Sequence, residues 1–588
     1  MEMIAYDSVR KVAATFFFGM DSSVIAHRSF KERRPSRTRD GSGKEMKKAL
    51  MFAALVPIVA FSFPKNGIET DSSRVSLRQY VERFNADDSE WHTNAIPNAK
   101  ALEFLEANIP LFECPDKEIE RAYYFRWWTY RRHIKSTPCG FVVTEFLPDV
   151  KWAGKYNTIS CAAGHHIMEG RWLKNRRYIS DYSRFWLTEG TITGRRAYVF
   201  WPAHAILQFV KVSGEKEFAV SVLDKLAENW KAWAKGWEAL VWIDRRIHPT
   251  KPHDMFFMGL NSNGLFSSVD DREGAECSVS GNGYRPLVNS AMWGEAKAIS
   301  EIAAIAGRKE LADEFAAKAD SLEQNIKGKL WSGKREFFMT MSDSGEHRDV
   351  RELFGYAPWY FGMPLEGYGK AWSQITDRDG FFAPCGLTNP EQRAPGFDVG
   401  YEFNRTPCRH DGPTWPYDTS IALTALANAI QSGNGVTACP ADYVTLLHQY
   451  AAAHRLCLED GRTISWIDEN LDPFTGEWVA RSIFRIQGLE KHYERGKDYN
   501  HSSFCDLVIS GLCGICPQME NCIEVKPLAS PNWRYFRLSN LFYHGHVVTV
   551  SWDRTGEYYG KGKGFSVSVD GVEKFRSGNL PSRCSVDL

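Results

Sequence analysis

The periodicity of the apolar residues constrains this chain most. From about Ser76 to Cys516 they return every three or four positions in one long segment after another. The segments run Lys117 to His133, Asn175 to Leu187, Ala203 to Val212, Lys216 to Trp237, Ser290 to Ala306, Lys309 to Leu330, Trp415 to Gln431, Pro440 to Leu456, Ala480 to Arg495 and His501 to Gly514. Long loops rich in Gly, Pro and Trp alternate with them, and strand signals are few. Helices of this length and number bury their apolar stripes by pairing, which predicts a mainly α fold: paired helices closed into a toroid, with the loops of one rim building a pocket. No repeat of fixed period is visible, which argues against an ordinary solenoid.

The pattern changes at about Glu524. Trp533 to Leu538, Leu541 to Trp552 and Phe565 to Phe575 alternate apolar and polar residues, and Val569-Asp570-Gly571-Val572 reads as a hairpin turn. The expectation is a catalytic helical domain over 76–516 and a small β-sandwich-like domain over 524–588. The sandwich reads as incomplete at Leu588, as from a truncated gene.

At the other end, residues 1–45 are polar, basic and without periodicity, and read as a disordered or mis-called extension. Met46 opens two lysines and a short apolar run to Phe63, the layout of a secretory signal, with translation starting at Met46. That run is short for a membrane span; a signal anchor with a cytoplasmic tail is the alternative. Either arrangement puts the globular part outside the cytoplasm, secreted or periplasmic, with no stable membrane span beyond the signal segment.

Among 588 residues, 72 basic and 72 acidic side chains cancel, so nothing in the charge favours nucleic acid as a partner. The 13 cysteines show neither paired CxxC motifs nor a disulfide framework. No metal site or cofactor is read. The 20 tryptophans exceed ordinary usage; flat indoles serve helix packing and also stack on sugar rings.

Chemistry concentrates in two acidic loops. Gly264 to Pro286 carries Asp270, Asp271, Glu273 and Glu276 between two helical segments. Trp466 to Trp478 carries Asp468, Glu469 and Asp472, again between helices. Two carboxylates from distant loops beside aromatic platforms suit glycosidic hydrolysis, in which one arrives protonated and the other ionised. Glu276, beside Ala275 and Cys277, has the partly apolar surroundings that keep a carboxyl protonated, although a solvated loop carboxylate has the same appearance. His165 and His166 are adjacent, which is poor geometry for two metal ligands, so they read as hydroxyl contacts or as packing, with Glu169 paired to Arg171 beside Trp172. Asp411 and Trp415 line a sugar subsite or cap a turn, and Tyr499 to Ser503 reads as a helix cap first and a substrate contact second.

Taken together, these motifs resemble the mannosylglycerate-hydrolase-like enzymes related to glycoside hydrolase family 63, within the six-hairpin glycosidases. The similarity covers roughly Tyr123 to Ile515. It implies an (α/α)6 barrel and inverting glycosidase chemistry. The family's acid loop, Glu-x-Gly-x-Asp-x-Ser, corresponds to Arg272-Glu273-Gly274-Ala275-Glu276-Cys277-Ser278, which puts Glu276 at the acid position with glutamate for aspartate; Asp271 and Glu273 are the fallbacks. The late loop, Glu-Tyr-x-Asp-Pro-x-Thr-Gly, corresponds to Glu469-Asn470-Leu471-Asp472-Pro473-Phe474-Thr475-Gly476 and puts Glu469 at the base position. His410-Asp411-Gly412-Pro413-Thr414-Trp415-Pro416 resembles the family's Arg-Gly-Pro-x-Trp-Pro turn, with Asp411 where Arg is common.

The expectation is a glycosidase acting on an oligosaccharide or glycan. Glu276 and Glu469 are catalytic, Trp172, Trp415 and Trp466 are platforms, and His165, His166, Arg171 and Asp411 hold hydroxyls. The competing readings are an exported glycan-binding protein with a degenerate pocket and a polysaccharide lyase on a similar toroid.

Overall fold

Several helices start where the sequence supplies a cap or a proline. The computed structural model describes residues 72–189, 196–242, 253–401, 406–433, 435–489 and 494–588; the extension at 1–45 and the signal at 46–63 lie outside them. In chain order the helices used below are α1 (Ser72–Asp87), α2 (Ala101–Asn108), α3 (Lys117–His133), α4 (Ser160–Gly170), α5 (Arg177–Arg184), α6 (Pro202–Ser213), α7 (Lys216–Lys235), α8 (Pro286–Ile305), α9 (Lys309–Asn325), α10 (Ala357–Tyr360), α11 (Pro416–Ser432), α12 (Pro440–Ala453) and α13 (Val479–Ile486). Asp116 caps α3 by accepting from the amides of Glu118 and Ile119. Prolines stand in the first turn of α6, α8, α11 and α12, where a missing N–H leaves no bond unmade.

An inner ring closes on itself. α4 packs on α6, α6 on α8, α8 on α10, α10 on α11, and α11 on the helical turn Leu507–Leu512. That turn returns to α4 through the carboxylate of Glu169, which accepts from the amides of Phe504, Cys505 and Asp506 at 3.1, 2.8 and 2.8 Å. Outside the ring, α5 lies against α4 and α6, α7 against α6 and α8, α9 against α8, and α12 against α11 and α3. This is the (α/α)6 toroid of paired helices. Inner helices bury most of their residues, and α4 all of them, whereas α7 buries one stripe through Phe218, Val222, Leu226, Trp230 and Trp233. Small residues let inner helices approach: a Cβ on Gly164 would lie 2.3 Å from the Trp201 ring.

Buried carboxylates staple ring neighbours at helix N-termini, where amides lack partners within the helix. Glu169 is one example. Glu295 of α8 is another, accepting from the His204 amide of α6 at 2.9 Å.

Three features depart from the sequence reading. The helix expected to reach Arg495 stops at Ile486, and the chain turns at Gly488 with φ +68°. The helix expected from His501 begins late, because residues 499–503 bind loops and walls of the ring. Strands Trp237–Trp242 and His253–Leu260 form an antiparallel hairpin inside the helical region.

The C-terminal strands are stitched to the toroid. The five-stranded sheet runs Leu111–Glu113, Tyr535–Tyr543, His546–Asp553, Gly564–Val569 and Val572–Ser577, so its edge strand comes from the helical part of the chain. Arg537 reaches Glu113 at 2.9 Å across that seam. The expected hairpin turn is present: Val569 pairs with Val572 while Asp570 and Gly571 take φ +48° and +80°. Glu69–Leu588 form one compact unit.

Candidate active site

Neighbouring acidic residues in the first loop meet different fates. Asp270–Glu273 forms a short helical turn that ends on Gly274 at φ +69°, where a Cβ would lie 2.7 Å from the Cys161 sulfur. Glu273 turns inward, is fully buried, accepts from Arg285 Nε at 2.8 Å and from the Val288 amide at 3.1 Å, and so staples the loop to α8. Downstream, the hydroxyls of Ser278 and Ser280 donate to Glu352 at 2.7 and 2.6 Å. With the loop clamped on both sides, Glu276 is left half-buried at the wall of a cavity of about 210 Å³.

The second loop is a tight turn built on its own side chains. Asp472 accepts from the amides of Phe474 and Thr475 at 2.8 and 3.1 Å. Asn470 accepts from the Ala480 amide and donates to the Pro407 carbonyl, tying the turn to α13 and to the segment before His410. Glu469 then lines the same cavity as Glu276 and is ion-paired with Arg495. Cys408 lines the same cavity: its thiol is pushed far up by burial, then by Glu276 and by Glu469.

Burial pushes the Glu276 carboxyl up to about 7, with His410 acting the other way. The two glutamates differ in their partners: His410 acts on Glu276, whereas Glu469, 3% exposed, is held by the Arg495 guanidinium. Asp468, behind Glu469, is raised to about 7, by burial first and by Glu469 second.

The rest of the wall comes from segments that carry no acidic motif. Glu145, just beyond strand Gly140–Val143, lines the cavity beside Tyr499 and His501. The Tyr499 hydroxyl donates to Glu145 at 3.0 Å, and His501 Nδ1 lies 2.8 Å from Glu145. Trp152 is 44% exposed at the cavity, with the Arg495 guanidinium 5.4 Å from its ring centroid. Trp415 is the one expected platform that lines this wall.

The other expected contacts lie elsewhere. His165 and His166 are buried in α4: His165 Nδ1 faces Ser503 Oγ at 3.3 Å, and His166 sits between the Tyr182 hydroxyl and the Asn500 carbonyl. Burial holds both imidazoles below their ordinary value, His166 at about 3. Arg171 pairs with Asp506 at 2.7 Å rather than with Glu169, and Trp172 Nε1 donates to the same carboxylate at 2.7 Å. Trp466 is buried with its N–H 3.4 Å from Asp468, and Asp411 accepts from Arg409 at 2.6 Å. None of these six lines the cavity. Each has at least one polar atom engaged by a protein group, while His165 Nε2 and Arg171 Nε are buried without a hydrogen-bond partner among the described residues. Of the fallback acids, Glu273 is sealed by Arg285, and Asp271 is absent from the lining.

A larger groove of about 890 Å³ runs along α12 and the turn after Asp472, past His448, Arg455, Trp478 and Arg485. Neither Glu276 nor Glu469 opens into it, and Arg455 and Arg485 are held by Glu118 and Glu459. Among the described residues no group of three or more His, Cys, Asp or Glu is arranged to hold a metal ion, and no helix is long and apolar enough to cross a membrane. All thirteen cysteines are free thiols.

Residues 155–502, more than half of the chain, match the family described as the mannosylglycerate hydrolase MGH1-like glycoside hydrolase domain. The chain belongs to that family. The MGH1-like domain holds Glu276, Glu469, Arg495 and His501, while Glu145 and Trp152 reach its cavity from just before it. Residues 519–574 match the C-terminal domain of glycosyl hydrolase family 65.

A solved structure described as "Sialidase" is similar at 34% identity and TM-score 0.76, over 89% of this chain and 46% of that one. The chain thus spans about half the length of that relative. More distant likenesses are a GH63 mannosylglycerate hydrolase from Thermus thermophilus in complex with glucose (12% identity, TM-score 0.42, 63% of this chain and 99% of that one) and an alpha-L-rhamnosidase from Dictyoglumus thermophilum (11%, 0.48, 80% and 45%).

Proposed function

We propose that this protein is a glycosidase that cleaves a glycosidic bond of an oligosaccharide or glycan with inversion, with Glu276 as general acid and Glu469 as general base. The observation that carries the reading is that one cavity receives both carboxylates from loops far apart in the chain. Glu276, held protonated near neutrality, delivers its proton to the leaving oxygen. Glu469, ionic against Arg495, takes a proton from water on the opposite face of the sugar. Trp152 offers an exposed face for the ring with the buried Trp415 in the wall, and Glu145, Tyr499 and His501 offer hydrogen-bonding groups for hydroxyls. The proposed setting is outside the cytoplasm, secreted or periplasmic, which fractionation of the expressing cell tests.

The test is turnover by Glu276→Gln and Glu469→Gln against aryl glycosides, with sialosides and mannosylglycerate included because the relatives carry those names. Each substitution is expected to reduce kcat at least about 10³-fold with the fold intact. Substantial residual activity in both variants ends the assignment.

The Arg495–Glu469 ion pair also favours a second reading, a glycan-binding protein whose base is permanently occupied. Calorimetry showing sugar binding with no product from the unsubstituted protein would select it.

A further inference from the structure

Behind the Trp415 indole lies a buried ion pair that the two-carboxylate chemistry does not itself use. His410 stacks on Trp415 with ring centroids 4.3 Å apart and planes 18° from parallel, and its Nε2 lies 3.6 Å from Asp418 Oδ2. Both side chains are 2% exposed. Among the described residues neither imidazole nitrogen nor Asp418 Oδ1 has a hydrogen-bond partner, so Asp418 is the nearest counter-charge for the ring. The same residue reaches the acid directly, since the His410 amide donates to the Glu276 carbonyl at 2.8 Å.

We propose that His410 is a positioning residue of the acid site: held as an imidazolium by Asp418, it fixes the Trp415 platform by cation–π stacking and sets a positive charge behind the Glu276 carboxyl. This rests on the reading of Glu276 as the acid.

The charges around the imidazole support that state. Asp418 faces it from α11, Glu276 from the acid loop and Glu352 from the segment before Leu353. The Arg285 guanidinium, at the start of α8, lies in the same small pocket, and the His501 imidazole is near Asp418. Burial works against the imidazolium, but Asp418 is the largest influence raising it, and His410 ends above its ordinary value. A protonated imidazole over an indole face is an attractive cation–π contact. A fixed charge there also offsets the desolvation of Glu276, keeping its proton transferable near neutral pH.

His410→Phe keeps a ring on Trp415 without the charge, and Asp418→Asn keeps the shape without the counter-charge. For both, the basic limb of the kcat profile is expected to move up by about one pH unit, because Glu276 loses a positive neighbour. In the unsubstituted protein the His410 ring nitrogens should give imidazolium ¹⁵N shifts at pH 7.5, and Asp418→Asn should convert them to the neutral form. A basic limb that stays in place in either folded variant while Glu276→Gln is inactive overturns the proposal, as does a neutral His410 at pH 7.5. If Glu276→Gln instead retains turnover, the acid reading has failed; the nitrogen shifts then decide the stacked ion pair alone. If His410→Phe does not fold, Asp418→Asn and the nitrogen shifts decide.

Discussion

Replacing Glu273 with glutamine separates the structural carboxylate from the proposed catalytic one three residues later. Glu273 and Arg285 are both at most 1% exposed and meet at 2.8 Å, and Glu273 also accepts from the Val288 amide. Glutamine keeps an acceptor for that amide and removes the charge. Breaking a buried ion pair from one side costs about 3–5 kcal/mol, because the remaining ion stays desolvated. Arg285 keeps Glu352 at 3.6 Å and still donates to Ser278 and Ser280, so the expected loss lies at the low end, about 3 kcal/mol. Urea unfolding at pH 7 and 25 °C reads it as a lowered midpoint, and initial rates measured well below the transition read catalysis. The expected result is reduced stability with kcat within about 10-fold of the parent, against a loss of about 10³-fold or more for Glu276→Gln. A Glu273→Gln variant of parental stability that has lost turnover would refute the assignment of roles within this loop.

Other outcomes follow from the same geometry. The kcat should fall as pH rises through about 7, where Glu276 loses its proton, as a pH profile at saturating substrate would show. Its raised carboxyl also makes the folded state lose stability between the unfolded carboxyl value of about 4.3 and about 7, the window in which the folded state binds the extra proton. Above that window Glu276→Gln should be more stable than the parent by about 1–3 kcal/mol, measured by urea unfolding at pH 8. Gly164→Ala forces a methyl into the Trp201 ring between α4 and α6 and should cost about 2–3 kcal/mol or more, visible as a lowered Tm. Trp152→Ala, at an exposed cavity edge, should raise KM several-fold with little change in Tm.

What the chain shows in one dimension is local. The 3.6-residue period marks the helices that bury one stripe, such as α7, whereas α4, buried all round, shows no stripe and is not among the helices that the period predicts; Asp570-Gly571 marks its hairpin because both residues tolerate positive φ. The two acidic loops are legible for the same reason: their carboxylates cluster within a few positions. Ring closure is not legible, since Glu169 meets Phe504 to Asp506 across most of the domain. Nor is the difference between Glu273 and Glu276, which is decided by Arg285 rather than by either neighbour. His165, His166 and Arg171 look functional in sequence because they are polar residues in an apolar helix; their partners, Ser503, Asn500 and Asp506, lie more than three hundred positions away. Glu145, Trp152 and Arg495 reach the cavity singly from separate loops, and a lone residue carries no pattern.

The central claim is that Glu276 and Glu469 act on one bond in one cavity. A crystal structure with the released sugar bound measures it: the sugar should occupy the cavity of about 210 Å³, between carboxyl groups about 6.5–9.5 Å apart. Carboxyl groups about 5–5.5 Å apart would contradict inversion. A sugar seated instead in the groove along α12, out of reach of both glutamates, would contradict the account itself.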